Sequence, residues 1–197
     1  MTIVLLRGIN VSGHRKVPMA DLRDALGADG FKGVQTYIQS GNLVFPGRVD
    51  SDDGHAAIVD VLERVLLREF GLDDVPVVVR SDESVGRALT ISTDAFPPPA
   101  EGDAGALRNH GRFTHVVFLG SKPAQERRAS LAPDELAPDR FHLDLHAGGA
   151  DLHVTYANGV SGSKLTSDRI ERAFGVSATA RNLNTVTRLV EMTSPTS

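Results

Sequence analysis

Val34-Gln35-Thr36-Tyr37-Ile38-Gln39-Ser40-Gly41-Asn42-Leu43-Val44-Phe45 contains two strand-length runs joined at Ser40-Gly41. β-Branched and aromatic residues suit extended backbone, and a short polar-glycine break between such runs is a hairpin signal. What flanks this hairpin decides the fold. Before it, Thr2 to Arg7 is a β-branched and leucine run of strand length. Pro18 then opens a segment with Leu22, Ala25 and Leu26 at helical spacing, closed by Gly30. After it, Asp52 or Asp53 is placed to cap a helix with Ile58, Val61, Leu62, Val65, Leu66 and Phe70 on one face. Gly71 ends that helix, and Val75 to Val79 reads as a further strand. Strand, helix, strand, strand, helix, strand is the βαββαβ order of a ferredoxin-like unit.

The second half repeats the order without evident sequence identity to the first. His115 to Leu119 is a strand and Ala124 to Leu131 a helix. Arg140 to His146 and Asp151 to Tyr156 form a hairpin about Gly148-Gly149. Asp168 to Phe174 is a helix, Ser177 to Ala180 a strand, and Asn184 to Met192 a final helix. Between the halves, Ser81 to Leu89 reads as a short helix, and Thr93 to Arg112, with Pro97-Pro98-Pro99, as a linker. The expected architecture is α+β: a ferredoxin-like subdomain over 1–80, a helix and Pro/Gly-rich linker over 81–112, and a second such subdomain with a C-terminal helix over 113–197.

Composition narrows the function classes. The 197 residues are 41% hydrophobic and 23% charged, ordinary for a chain that buries a core. The net charge of −4 argues against a basic, sequence-blind nucleic-acid binder. With no cysteine there is no disulfide, thiolate metal site or cysteine nucleophile. No apolar run is long enough for a membrane span and no leader pattern is evident, so the expected location is cytoplasmic, away from membranes.

Two motifs concentrate polar groups beside glycines at strand ends: Leu5-Leu6-Arg7-Gly8-Ile9-Asn10, and Thr36 through Asn42. Loops carried on a rigid scaffold are where ligands usually bind. With Ser40-Gly41 as the turn, Gln39 faces Asn42 and Ile38 faces Leu43. Alternation then puts Thr36, Ile38, Leu43 and Phe45 against the helices, and Tyr37, Gln39, Asn42 and Val44 on an open sheet face beside Arg7. Gln and Asn offer mixed donors and acceptors, and Arg a planar fork for phosphate or carboxylate. Next along the chain, Val11-Ser12-Gly13-His14-Arg15-Lys16 has the cations and glycines of an anion-wrapping loop, without the Gly-x-x-x-x-Gly-Lys spacing of a nucleoside-triphosphate site. Ser163-Lys164 and Arg181-Asn182 each precede a helix, where Lys164 and Arg181 would reinforce anion capture. Ser167, and Asn182 or Asn184, serve equally as plain caps.

His142, Asp144, His146, Asp151 and His153 alternate along the second hairpin, with His146 expected opposite Asp151 and Asp144 opposite His153. Five such side chains on one face are metal-ligand types, but cross-strand His–Asp pairing on a sheet face accounts for them without a metal, and none is expected. No nucleophile elbow, zinc-protease or cofactor motif is present, so no cofactor and no catalytic residue is assigned. His14 near Ser12 reads as two loop residues.

The Leu5–Asn10 run with Gly13 and Lys16, Pro18-Met19 with Leu22-Arg23, and Thr36 through Asn42 carry a resemblance. So do Asn158-Gly159, Ser163-Lys164, and Thr179 with Arg181-Asn182 and Thr185-Val186. In these motifs the chain resembles the bacterial family of uncharacterised proteins catalogued as domain of unknown function 1697. The resemblance implies paired ferredoxin-like subdomains and no particular activity. Leu183 stands where the family pattern usually carries tryptophan.

The reading these residues favour is a binding protein. Arg7, Asn10, Lys16, Gln39, Asn42, Lys164 and Arg181 would line a cleft between the subdomains and hold a small anionic ligand or a nucleic-acid phosphate. The alternatives are an enzyme on such a substrate, with Lys164 or His14 as acid/base and Arg7 as oxyanion partner, and an interaction module whose polar clusters only fix structure. Single-stranded RNA on the open sheet would be an analogy at the level of the fold.

Overall fold

The computed structural model describes residues 1–11, 13–47, 49, 52–99 and 104–194. The architecture is mixed α+β with two four-stranded antiparallel sheets. The chain divides into two units, residues 1–85 together with the end of the chain from Leu189, and residues 86–188.

In the first unit the order is β1 (Thr2–Leu6), α1 (Met19–Ala28), β2 (Gln35–Tyr37), β3 (Asn42–Phe45), α2 (Asp52–Phe70) and β4 (Val77–Ser81). The sheet runs β2-β3-β1-β4, so the first and last strands lie side by side, as the ferredoxin-like order requires. Val4, Leu6, Leu43, Phe45 and Val79 pack against Leu22 and Leu26 of α1 and Ile58, Leu62, Val65 and Leu66 of α2. The α2 residues recur at helical spacing, so one stripe faces the sheet. Helix α2 stops where Gly71 takes a left-handed φ of 67° and donates its N–H to Leu67 O at 3.0 Å. The cap expected from Asp52 or Asp53 lies outside the described side chains.

The other face of this sheet is closed, which corrects the expectation of an open, ligand-accessible surface. Ile3, Leu5, Val44 and Val78 are buried there, together with Asn42 and Arg80. Single-stranded RNA recognition on that face has no platform. The hairpin register also differs. Ile38 to Gly41 form a four-residue turn, and Tyr37 rather than Gln39 pairs with Asn42. Ile38 therefore leaves the ladder, and its side chain is exposed instead of packing on the helices.

The second unit carries the end of α3 (Asp82–Ala95), then α4 (Ala104–Phe113), β5 (Thr114–Leu119), α5 (Pro133–Leu136), β6 (Arg140–His146), β7 (Gly149–Thr155), α6 (Ser167–Phe174) and β8 (Ala178–Asn182), with α7 (Leu183–Thr193) following. Its strand order, β6-β7-β5-β8, matches that of the first sheet. The helix expected over Ala124 to Leu131 is a 3-10 turn at Gln125–Arg127, with the short α5 after it. That segment has too few apolar residues for a helix-long stripe, and Pro123 and Pro133 bound it on either side. The expected linker is partly helical through α4, and α3 runs six residues past Leu89. The second hairpin turns at Ala147-Gly148, a two-residue loop, so His142 faces His153 and Asp144 faces Asp151. The offset from expectation is two residues, so every side chain keeps its face while each gains a different opposite.

Candidate functional site

The two opening motifs meet, and Asn10 joins them. Its side-chain amide donates to Val17 O and to Gln39 O, each at 2.8 Å, and its Oδ1 accepts from Val17 N at 2.8 Å. Its own backbone N–H donates to Arg15 O at 3.0 Å. One side chain thereby closes the loop from Ile9 to Val17 and ties it to the hairpin turn. Holding this geometry puts Asn10 at φ 55°, a left-handed conformation asparagine tolerates better than most residues. The second tie is Leu6 N donating to Gly41 O at 2.8 Å.

Inside the loop, His14 N donates to Val11 O at 2.9 Å, making a tight turn around Gly13 (φ 79°). Ser12 lies outside the described residues. Arg15 reaches back to form an ion pair with Asp74. Arg7 N donates to Pro76 O at 3.0 Å, which holds the end of β1 beside the chain entering β4. Arg7, Gly8, Val11, His14, Arg15, Asp74 and Pro76 line a hollow of about 640 Å³ at that strand end. Two arginines and one carboxylate line it, so its net charge is positive.

The expected site residues occupy different settings. Arg7 is half-buried at the hollow, and the Lys16 and Gln39 side chains are exposed. Asn42 is fully buried under the turn and donates to Tyr37 O and Ser40 Oγ, both at 3.0 Å. Asn10 and Asn42 therefore act through hydrogen bonds that fix the two loops. Lys164 belongs to the second unit and is exposed, on the segment that leads into α6. Asp139 shapes that segment, accepting from Ala157 N at 2.9 Å and Ser163 Oγ at 2.5 Å. The N-cap of α6 is Thr166 rather than Ser167, accepting from Arg169 N at 3.2 Å. Asn182 caps α7 by accepting from Thr185 N at 2.9 Å. Arg181, in β8, is 8% exposed and donates to Thr179 Oγ1 and Ala180 O. Burial pushes its guanidinium down to about 10.

The polar face of the second sheet is a set of internal pairs. His146 Nε2 lies 3.1 Å from Asp151 Oδ2, and Arg87 Nη2 donates to both carboxylate oxygens of Asp144. The His142 and His153 rings lie 6.1 Å apart. Among the described residues no three His, Asp or Glu side chains converge as metal ligands. His153 is fully buried with neither ring nitrogen hydrogen-bonded, and burial pushes it down to about 4 against the weaker pull of Asp151 and Asp144. His115 is lowered for the same reason, and burial pushes the Tyr156 hydroxyl up to about 12.

Sequence reasoning missed Asp74, Pro76 and Asp139. Each acts across a long stretch of chain and carries no local motif. The placement of Ile38 was missed as well: it takes φ 47°, a conformation that disfavours a β-branched residue. Ile38→Asn is expected to raise stability by about 1 kcal/mol, since asparagine enters the left-handed region more readily and the isoleucine side chain is half in solvent. Urea unfolding of the two proteins checks this.

The model of the family described as protein of unknown function (DUF1697) matches residues 1–147. Among solved structures, a conserved bacterial protein from Streptococcus pneumoniae is similar at 24% identity, with a TM-score of 0.58 and 97% of each chain covered. At that identity the likeness is one of fold. No curated protein matches the sequence. Among the described residues no helix is long and apolar enough to cross a membrane.

Proposed function

Because the chain belongs to the DUF1697 family of proteins of unknown function, membership in which names no reaction, we propose from its own residues that the first unit binds a small anionic ligand. The site is the hollow at the end of β1, and Arg7 is its principal contact. The observation that carries the reading is the placement of Arg7 on the wall of a basic hollow whose loop is held by hydrogen bonds of the Asn10 side chain to Val17 and Gln39. A loop fixed before the ligand arrives loses little entropy on binding, so its contacts count more fully toward affinity. The guanidinium of Arg7 supplies the paired donors that phosphate or carboxylate oxygens accept. The exposed Lys16 adds positive potential around it, and Gln39 offers an accessible amide on the adjoining turn. Asn10 and Asn42 are supports in this reading, and Lys164 and Arg181 are not used.

The acid/base alternative has less behind it. His14 and Lys164 are both exposed, so neither is held in the water-poor setting that tunes a catalytic group. The interaction-module reading has one observation in favour, the complete internal use of the Asn10 side chain.

Calorimetric titration with inorganic phosphate and with acetate tests the proposal. Arg7→Ala is expected to weaken binding by about 10- to 100-fold, the range for losing a charged hydrogen-bonding partner. Its thermal unfolding should stay close to the parent's. Equal affinity in Arg7→Ala, or no heat with either ion, would leave the interaction module as the better account.

A further inference from the structure

Resting on that reading, we infer that the ligand of this hollow carries an apolar body on its anionic head, in the manner of an alkyl phosphate or a short-chain carboxylate. The volume is the first reason. About 640 Å³ lies within the roughly 300–1,000 Å³ typical of sites for organic ligands, and a bare ion would leave most of it to water. The second is the lining. Val11 and Pro76 stand on the walls beside Arg7, and the stems of Arg7 and Arg15 add apolar area below their charged ends.

The third is where the chain exposes large apolar side chains. Val11 is 56% exposed, and Ile38 is 51% exposed. Val11 follows Asn10 and Ile38 precedes Gln39, so the two flank the 2.8 Å hydrogen bond that joins the loops. Single exposed apolar residues are ordinary on a protein surface. Val11 lines the basic hollow, and Ile38, at φ 47°, sits on the turn tied to its loop, so the apolar side chains exposed here match a ligand that is charged at one end and apolar at the other. A hollow of this size, open to solvent on one side, suits a small molecule.

The test titrates the full chain with two matched pairs, inorganic phosphate against n-butyl phosphate and acetate against hexanoate. Each fully buried methylene is worth about fourfold in affinity. The alkylated member of at least one pair is expected to bind at least about tenfold tighter, since the added carbons are buried only in part. In Val11→Ser that ratio should fall toward one. Equal affinities within both pairs would overturn the inference, and if the parent ions still bind through Arg7 the anion reading survives without the apolar body. If no member of either pair binds, both readings fall. Sedimentation with phosphatidic acid vesicles, without binding of n-butyl phosphate, would assign the head group to a lipid surface and overturn the inference as well.

Discussion

Gly41→Ala is expected to cost about 2–5 kcal/mol of stability, combining the left-handed penalty with that of an overpacked core. Gly41 is buried at φ 77°, where an L side chain is strained. An added Cβ would also stand 2.7 Å from Leu6 Cβ and 3.0 Å from Ile9 Cδ1. Neither neighbour can withdraw easily, because both side chains are fully buried and Leu6 belongs to a strand paired on both sides. Gly13→Ala is the control. It has a similar φ of 79° and nothing within 4 Å of the added carbon, so it should lose only the backbone part, about 1–2 kcal/mol. The difference between the two in urea unfolding measures how tightly the hairpin turn seats on the end of β1. Equal losses would mean that the turn has room to move and that the hollow's loop is not fixed.

His153 gives the second large effect, and it depends on pH. Its folded-state value of about 4 lies below the ordinary histidine value of 6.5. Between these, the unfolded chain takes up a proton that the folded chain refuses. Stability tied to His153 is therefore intact above pH 6.5, falls as pH drops toward 4, and changes no further below that. The full loss is about 3 kcal/mol by linkage. Burial is the largest influence, His142 and His146 add to it by pushing the proton off, and together they outweigh Asp151 and Asp144, which pull it on. In His153→Leu this part of the slope should vanish, while a smaller slope from His115 remains because it too is lowered by burial. At pH 7 the two proteins should stay within about 1 kcal/mol, since no hydrogen bond of His153 is lost. Parallel stability curves from pH 7 to pH 4 would show that His153 accepts its proton in the folded state at the ordinary value.

Much of the fold was legible because hydrophobic period changes cleanly along the chain. The stripe from Ile58 to Phe70 and the runs at 2–6, 43–45 and 77–79 are unambiguous, and their order specifies the ferredoxin-like topology. The closed second sheet face was also written in those runs. Ile3-Val4-Leu5-Leu6 and Val77-Val78-Val79 are continuous rather than alternating, which marks strands buried on both sides. Reading the face as open gave weight to Gln39 and Asn42 and too little to Ile3 and Val78. Hairpin registers were harder, because turn length decides them. Ser40-Gly41 looks like a complete turn, yet Ile38 and Gln39 join it, and no local rule places an isoleucine at positive φ. The degenerate helix between β5 and β6 was a propensity error, since favourable residues without an apolar stripe do not sustain a helix.

The candidate site was legible as a neighbourhood and not as a set of roles. That Arg7, Asn10 and Gln39 come from adjacent strand ends followed from topology. That Asn10 spends its amide on Val17 and Gln39, and that Asp74 closes the hollow through Arg15, depends on contacts between distant segments that composition does not encode.

The most direct measurement is a ¹H–¹⁵N correlation titration of the protein with inorganic phosphate. The expected result is saturable movement of backbone resonances over 7–16 and at Asp74 and Val75, with the Arg7 side-chain signal among them, and its loss in Arg7→Ala. Movement confined to 157–166 around Lys164, or no saturable movement anywhere, would contradict anion binding at the end of β1.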